Sequence, residues 1–250
     1  MNSVSSDVID AATDGTIESL NTRVNGSKAH YLKAGSGPPV ILFHGGASDS
    51  RDWLDTMAAL ADSYTVHAPD MIGFGQSDRS KTGYYLSDFT EFAAGFINEL
   101  GHESQVLVGH SLGGRVCLDI ALQHPDRVSQ LVLIDTVGFG RLARWGMYIG
   151  AFMYWLRKVL RMPQPYPRYF KQMHEDREWM CLDMLPQLRV PTLLVWNERD
   201  PYYSVSQATR AAGLIPDARL EIFPGYGHAP HMKSKEKFNS LLLDFLKDHT

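Results

Sequence analysis

The pentapeptide Gly109-His110-Ser111-Leu112-Gly113 constrains the fold of this chain more than any other segment. It follows the apolar run Gln105–Val108 and opens a segment, Gly114–Gln123, whose pattern is typical of a helix. A G-x-S-x-G pattern between a strand and a helix predicts a sharp, strained turn that leaves its serine exposed. Glycines stand on both sides of the serine because larger side chains would clash there. The sequence therefore predicts that Ser111 is a nucleophile.

A serine hydroxyl is a weak nucleophile at neutral pH, so it needs a histidine base and a carboxylate that orients the histidine. In strand–turn–helix sites these partners follow the serine in the order Asp or Glu, then His. Asp200 lies in a predicted turn, Asn197–Pro201, after the apolar strand Thr192–Trp196. His228 lies in a loop with two glycines after the strand Leu220–Phe223. We therefore expect Ser111, Asp200 and His228 to be the catalytic residues, because open α/β sheets place chemistry in loops after strands.

The segment His44-Gly45-Gly46 predicts a further part of such a site, because it directly follows the apolar strand Pro39–Phe43. Acyl transfer forms a negatively charged oxygen that needs backbone N–H donors. We expect one donor from Leu112, the residue after the serine, and one from Gly46, with Ala47 as the alternative. A glycine at this position lets the backbone approach a substrate carbonyl closely.

With these motifs in this order, the chain resembles the α/β-hydrolase superfamily over about residues 27 to 248. The segment Asp70–Ser77 is similar to the family's D-x-x-G-x-G-x-S turn after the fourth strand. The resemblance implies the α/β-hydrolase fold, which has a mostly parallel eight-stranded sheet, helices on both faces and a small helical cap. It does not identify the substrate, because this superfamily hosts many chemistries.

Two alternatives to the expected catalytic residues stay open. Asp135 also ends an apolar strand, Leu131–Ile134, and so competes with Asp200 for the role of the acid. The resemblance favours Asp200, which matches the family's acid after the seventh strand. His231 lies three residues after His228, but His228 follows its strand and glycine turn at the expected point.

Alternating β and α patterns support the same fold. Asn25-Gly26 predicts a hairpin between the strands Ile17–Val24 and Lys28–Lys33. Parallel strands are expected at Val40–Phe43, Thr65–Ala68, Gln105–Val108, Val128–Ile134, Thr192–Trp196 and Arg219–Phe223. Helices are expected at Asp52–Ala61, Ser87–Leu100, Leu112–Gln123, Ser204–Ala212 and Lys235–Lys247.

The alternation stops between Val137 and Arg189. We therefore expect a core formed by residues 17–136 and 190–250, with a helical cap or lid inserted at residues 137–189. Residues 1–16 are rich in Ser and Asp, and we expect them to be flexible.

The expected cap carries an apolar stripe. Tyr148, Phe152, Trp155 and Val159 follow one another at spacings of four, three and four residues, which places them on one face of a helix. We expect the stripe to pack over the active site, with Tyr148, Phe152 and Trp155 as candidate substrate-binding residues.

The same segment is basic. No acidic residue occurs between Asp135 and Glu175, whereas seven basic residues do: Arg141, Arg144, Arg157, Lys158, Arg161, Arg168 and Lys171. Two further interpretations of it stay open. One is a weak contact with a membrane surface, and the other is attraction of an anionic acyl substrate.

Composition narrows the class of protein. A length of 250 residues suits one large domain, and the net charge of −4 gives no reason to expect nucleic acid. No run of 18 apolar residues occurs, so we expect no spanning helix, and the first cationic residue, Arg23, comes too late for an export signal. We therefore expect a cytoplasmic protein. The cysteines Cys117 and Cys181 form no metal-binding pattern.

The expected function is hydrolysis of a carboxyl ester of a small or medium acyl substrate through an acyl-enzyme, without metal or organic cofactor. Cleavage of a C–C bond in a ring-cleavage product, or of a lactone or thioester, would use the same machinery, and the choice depends on pocket shape. A non-catalytic receptor of this fold is disfavoured because the chain keeps all three residues of the triad. Dehalogenases and epoxide hydrolases are disfavoured because they would need an aspartate at position 111.

Overall fold

The computed structural model describes residues 17–80, 84–143, 148, 152, 155–156, 159–160 and 180–248. Its centre is a sheet of eight strands in the spatial order 1-2-4-3-5-6-7-8. The strands are β1 (Ile17–Val24), β2 (Ser27–Ala34), β3 (Pro39–Phe43), β4 (Thr65–Pro69), β5 (Gln105–His110), β6 (Val128–Ile134), β7 (Thr192–Arg199) and β8 (Ala218–Tyr226). β2 runs antiparallel to β1 and β4, and the other neighbouring pairs are parallel. This confirms the expected mostly parallel sheet.

Helices pack on both faces of the sheet. They are α1 (Leu54–Leu60), α2 (Leu86–Leu100), α3 (Leu112–Gln123), α4 (Val205–Ala212), α5 (Pro230–Lys233) and α6 (Lys235–Lys247). Alternate residues of β3 enter different apolar clusters: Ile41 packs with α2 and α3, whereas Leu42 packs with α1 and α6. Because side chains alternate across a strand, this sheet is buried on both sides.

Most element boundaries agree with the predicted ones, but the end of β7 differs. The sequence predicts a turn from Asn197, whereas β7 continues to Arg199 with a register shift between the two residues. The polar side chain of Asn197 suggests a loop, yet it is buried and donates a hydrogen bond of 3.0 Å to Asp135. A polar side chain can be buried in a strand when its hydrogen-bonding groups have partners.

A polar network ties β1 and β2 to the turn after β4. His30 Nδ1 lies 2.7 Å from Asp70 Oδ2, and its Nε2 lies 2.9 Å from Ser19 Oγ. Asp70 also accepts hydrogen bonds of 2.8 Å from the backbone N–H groups of Ser50 and Gln76. Burial acts to raise the pKa of Asp70, but these hydrogen bonds lower it to about 2. The Asp70 carboxylate therefore anchors the turn as a charged group.

Several predictions for the chain fall on residues that are not described. They concern residues 1–16 and most of the expected cap, including its basic residues Arg157, Lys158 and Arg161. Among the described residues, no helix is both long enough and apolar enough to cross a membrane.

Candidate active site

Ser111 occupies a strained turn between β5 and α3. Its backbone angles are φ 52° and ψ −110°, and helix α3 begins at the next residue. A Cβ at Gly109 would lie 2.4 Å from the carbonyl oxygen of Gly113, and a Cβ at Gly113 would lie 2.3 Å from that of Phe43. Both motif glycines are therefore required for close packing, and the strain that the motif predicts is present.

Ser111, His228 and Asp200 form one hydrogen-bonded chain. His228 Nε2 lies 3.0 Å from Ser111 Oγ, and His228 Nδ1 lies 2.8 Å from Asp200 Oδ2. A carboxylate only accepts, so Nδ1 carries the proton and Nε2 is left to accept from the serine hydroxyl. The structure thus brings the three expected residues together from the ends of β5, β7 and β8.

Backbone N–H groups hold the Asp200 carboxylate. Its Oδ1 accepts hydrogen bonds from Tyr202 N at 2.7 Å and Tyr203 N at 3.2 Å, while Oδ2 faces His228. The Asp200 side chain is fully buried, whereas His228 keeps 19% of its side-chain surface exposed. Sequence reasoning missed these two donors, because a backbone N–H has no residue-type signal.

Asp135 and His231, the alternatives for the acid and the base, lie outside the hydrogen-bonded chain. Asp135 Oδ2 is 3.9 Å from His228 Nδ1, too far for a hydrogen bond, and the carboxylate instead accepts from Asn197 N and Nδ2 at 2.9 and 3.0 Å. His231 is buried and stacks on Trp53 with ring centroids 4.4 Å apart. Neither of its ring nitrogens has a hydrogen-bond partner in the described part of the chain. Burial and, to a smaller extent, the nearby His228 lower the pKa of His231 to about 3, so it is neutral.

His110 and His44 form hydrogen bonds to the backbone of loops around the site. His110 donates from Nε2 to the backbone carbonyl of His228. His44 donates from Nδ1 to the carbonyl of Gly45 at 2.7 Å and accepts from Met71 N at 2.9 Å. Burial lowers the pKa of both histidines, so each is neutral and shapes a loop.

The expected oxyanion donors lie at the start of α3 and in the loop after β3. The N–H of Leu112 is at the first residue of α3, where helical N–H groups have no intrahelical partner. Gly46 and Ala47 are exposed in the loop that His44 anchors, and Ala47 has a φ of 65°. Their roles toward a substrate stay predictions.

The described part of the apolar stripe is exposed. Tyr148, Phe152 and Trp155 lie in helical positions, with 75%, 57% and 56% of their surface exposed. Phe152 and Trp155 stack with ring centroids 6.2 Å apart. These side chains are open to solvent here, and their contact with a substrate stays a prediction.

One cluster of the described residues could offer metal ligands. Atoms of His110, Asp135 and His228 lie within 4.8 Å of one another. However, His228 is engaged by Ser111 and Asp200, and both oxygens of Asp135 accept from Asn197. These side chains are therefore poorly placed to bind a metal. A site without metal or cofactor stays a prediction.

The fold and this site define the class of protein. A family model described as alpha/beta hydrolase fold matches residues 38–180. The chain therefore belongs to the α/β-hydrolase family.

Proteins and structures similar to this chain include hydrolases. The 2-hydroxymuconate semialdehyde hydrolase of Pseudomonas sp. (strain CF600) is 28% identical, with 89% of this chain and 92% of that protein covered. The structure of the meta-cleavage product hydrolase CumD from Pseudomonas fluorescens IP01 is 25% identical, with a TM-score of 0.77 and coverage of 92% and 98%. The carboxylesterase CesB from Bacillus subtilis has the same fold, with a TM-score of 0.80, 24% identity and coverage of 96% and 95%. Family and relatives together indicate a hydrolase.

Proposed function

We propose that this protein is a serine hydrolase that cleaves a carboxyl ester of a small or medium acyl substrate. The observation that carries the proposal is the hydrogen-bonded chain from Ser111 through His228 to Asp200, at a strained turn before α3. The same residue types in this geometry activate a serine by removing its proton.

In the acylation step, Ser111 Oγ attacks the ester carbonyl carbon and His228 Nε2 takes the hydroxyl proton. Asp200 fixes the Nδ1–H tautomer and stabilises the imidazolium. The N–H groups of Leu112 and Gly46 stabilise the negative oxygen. The bond between the carbonyl carbon and the alcohol oxygen of the ester then breaks, and His228 returns the proton to the leaving alcohol.

In the deacylation step, water gives a proton to His228 Nε2 and attacks the acyl carbon. The bond to Ser111 Oγ breaks, the serine regains the proton and the carboxylic acid leaves. Residues 137–189, as a cap on the core formed by residues 17–136 and 190–250, would select the acyl group.

Hydrolysis of a C–C bond is the second candidate. It is favoured by the names of two relatives, a 2-hydroxymuconate semialdehyde hydrolase and a meta-cleavage product hydrolase. The same three residues would serve, but the bond that breaks joins the carbonyl carbon to another carbon, which receives the proton.

A substrate panel separates the candidates. It contains p-nitrophenyl esters of graded chain length, a ring-cleavage dienoate, a lactone and a thioester. The ester proposal expects the highest kcat/KM on an ester of up to medium length. A higher value on the dienoate would favour C–C hydrolysis.

The triad is tested by Ser111→Ala, His228→Ala and their combination. Each single substitution should remove nearly all turnover, and the double variant should be little worse, because the residues act as a unit. Activity within about tenfold of wild type in either single variant would refute the mechanism, since a working triad contributes several orders of magnitude.

A further inference from the structure

A second buried carboxylate faces the imidazole of His228. Asp200 Oδ2 lies 2.8 Å from His228 Nδ1, and Asp135 Oδ2 lies 3.9 Å from the same atom. Both carboxylate side chains are fully buried. Nδ1 carries one proton, and Asp200 accepts the hydrogen bond from it. Asp135 therefore lies near Nδ1 without accepting a hydrogen bond from it. A small rotation of the imidazole would exchange the two acceptors.

The backbone fixes Asp135 in this place. Its backbone φ is 42°, in a region that residues other than glycine rarely adopt. Its backbone N–H donates a hydrogen bond of 3.0 Å to the carbonyl of Val195. Strained positions that surrounding contacts enforce cluster at functional sites. A neutral side chain could also accept hydrogen bonds from Asn197, so packing alone does not explain an ionisable group here.

We propose that Asp135 is a second positioning carboxylate for His228, which supports the imidazolium through space and accepts the Nδ1–H when Asp200 is absent. The inference rests on the proposed function, in which His228 is the base. No bond to Asp135 forms or breaks in the wild-type reaction. When Ser111 gives its proton to Nε2, the imidazole gains a positive charge next to Asp135, and opposite charges at this separation attract strongly in a buried site.

The charge on Asp135 changes near neutral pH. Burial raises its pKa most and Asp200 raises it further, whereas His228 and the hydrogen bonds from Asn197 lower it, so that the net pKa is about 7. Among the described residues, the titratable groups that face it are His228, Asp200 and His110, and burial keeps His110 neutral. Above pH 7 the Asp135 carboxylate is charged and supports the imidazolium. Below pH 7 it is neutral and contributes little.

The first experiment is a pH profile of kcat for wild type and Asp135→Asn. The substrate is p-nitrophenyl acetate, followed at the isosbestic wavelength of its phenol product. We expect the substitution to lower kcat about tenfold at pH 8.5 and no more than about twofold at pH 5.5, because only the charged form is lost. An equal reduction at both pH values would overturn the inference, since a purely structural defect carries no such dependence.

The second experiment places Asp135→Asn in an Asp200→Asn background. We expect Asp200→Asn to lower kcat by orders of magnitude yet to retain a rate above that of Ser111→Ala. Asp135→Asn should then lower this residual rate by about 30-fold or more, a larger factor than in wild type, because neighbours in one network are not additive. Equal factors in the two backgrounds would exclude Asp135 as the fallback acceptor.

Two controls keep the outcomes distinct. Asn197→Ala removes the side-chain donor to Asp135 but keeps the carboxylate. Because that hydrogen bond lowers the pKa of Asp135, we expect the rise of kcat in the pH profile to move to higher pH and not to disappear. A pH profile that matches that of Asp135→Asn, at an unchanged melting temperature, would assign the effect to the Asn197 bond and refute the role of Asp135. Ser111→Ala gives the background rate without the proposed nucleophile. If this variant stays active, the proposed function itself fails. If it is inactive but Asp135→Asn lowers kcat by the same factor with and without Asp200, only the inference is refuted.

Discussion

His110 donates a hydrogen bond from its Nε2 to the backbone carbonyl of His228. The first residue precedes the serine and the second is the proposed base, so this bond connects the turn after β5 to the loop after β8. His110 is buried and neutral, because burial lowers its pKa well below the usual range. The bond therefore holds the backbone of His228 against the residue that precedes Ser111.

Substitutions at His110 test this positioning role. Gln can donate from a similar point, whereas Met fills a similar volume without a donor. We expect His110→Met to lower kcat about tenfold with little change in KM, since misplacing a reacting group costs rate, and His110→Gln to stay within about threefold of wild type. Steady-state kinetics on p-nitrophenyl acetate give both parameters. Equal losses in both variants would show that only the ring's packing matters.

His67 on β4 predicts a pH dependence of stability. Burial and, to a smaller extent, the nearby His102 and Lys33 lower its pKa from the ordinary value of 6.5 to about 4. Between these values the unfolded chain binds a proton that the folded chain does not, so the free energy of unfolding falls as pH falls from 6.5 to 4. We expect wild type to lose about 2 kcal/mol more than His67→Phe between pH 7.5 and 4.5. Urea unfolding measures both, and parallel curves would contradict the prediction.

The network of Ser19, His30 and Asp70 offers an internal comparison with the active site. Its distances, 2.9 and 2.7 Å, are close to the 3.0 and 2.8 Å of the proposed triad. Ser19, however, lies within β1, where no helix start directs N–H donors at a developing oxyanion. We expect a fluorophosphonate to add once, at Ser111, and Ser19→Ala to keep kcat within about twofold. Intact-protein mass spectrometry counts the adducts, and a second adduct that Ser19→Ala removes would contradict this prediction.

Trp155 tests the apolar stripe. Its side chain is 56% exposed, so a bound acyl group could cover it. Full burial of a large apolar side chain stabilises by roughly 2–3 kcal/mol, of which only part reaches a substrate. We expect Trp155→Ala to lower kcat/KM for a medium-chain ester about tenfold, or about 1.4 kcal/mol, and to affect an acetate ester far less. Equal losses on both esters would show that the stripe supports the fold and not the substrate.

The sequence predicts the strands and the serine turn well because both depend on local patterns. The acid is harder, because Asp135 and Asp200 each follow an apolar strand that ends at the same edge of the sheet. Pairing of Ile134 with Val195 brings the ends of β6 and β7 side by side, and a register of this kind has no local signal. The same reason explains why the donors to Asp200 and the bond from His110 to His228 emerge only from the folded chain.

The positive φ of Ser111 has a consequence for how the site persists over time. A backbone conformation this sparsely populated costs a residue with a side chain about 1–3 kcal/mol, and glycine avoids most of that penalty. We therefore expect Ser111→Gly to raise the melting temperature and, on the proposed mechanism, to abolish turnover. The strain at Ser111 is therefore a stability cost that the proposed nucleophile carries for the reaction and not for the fold.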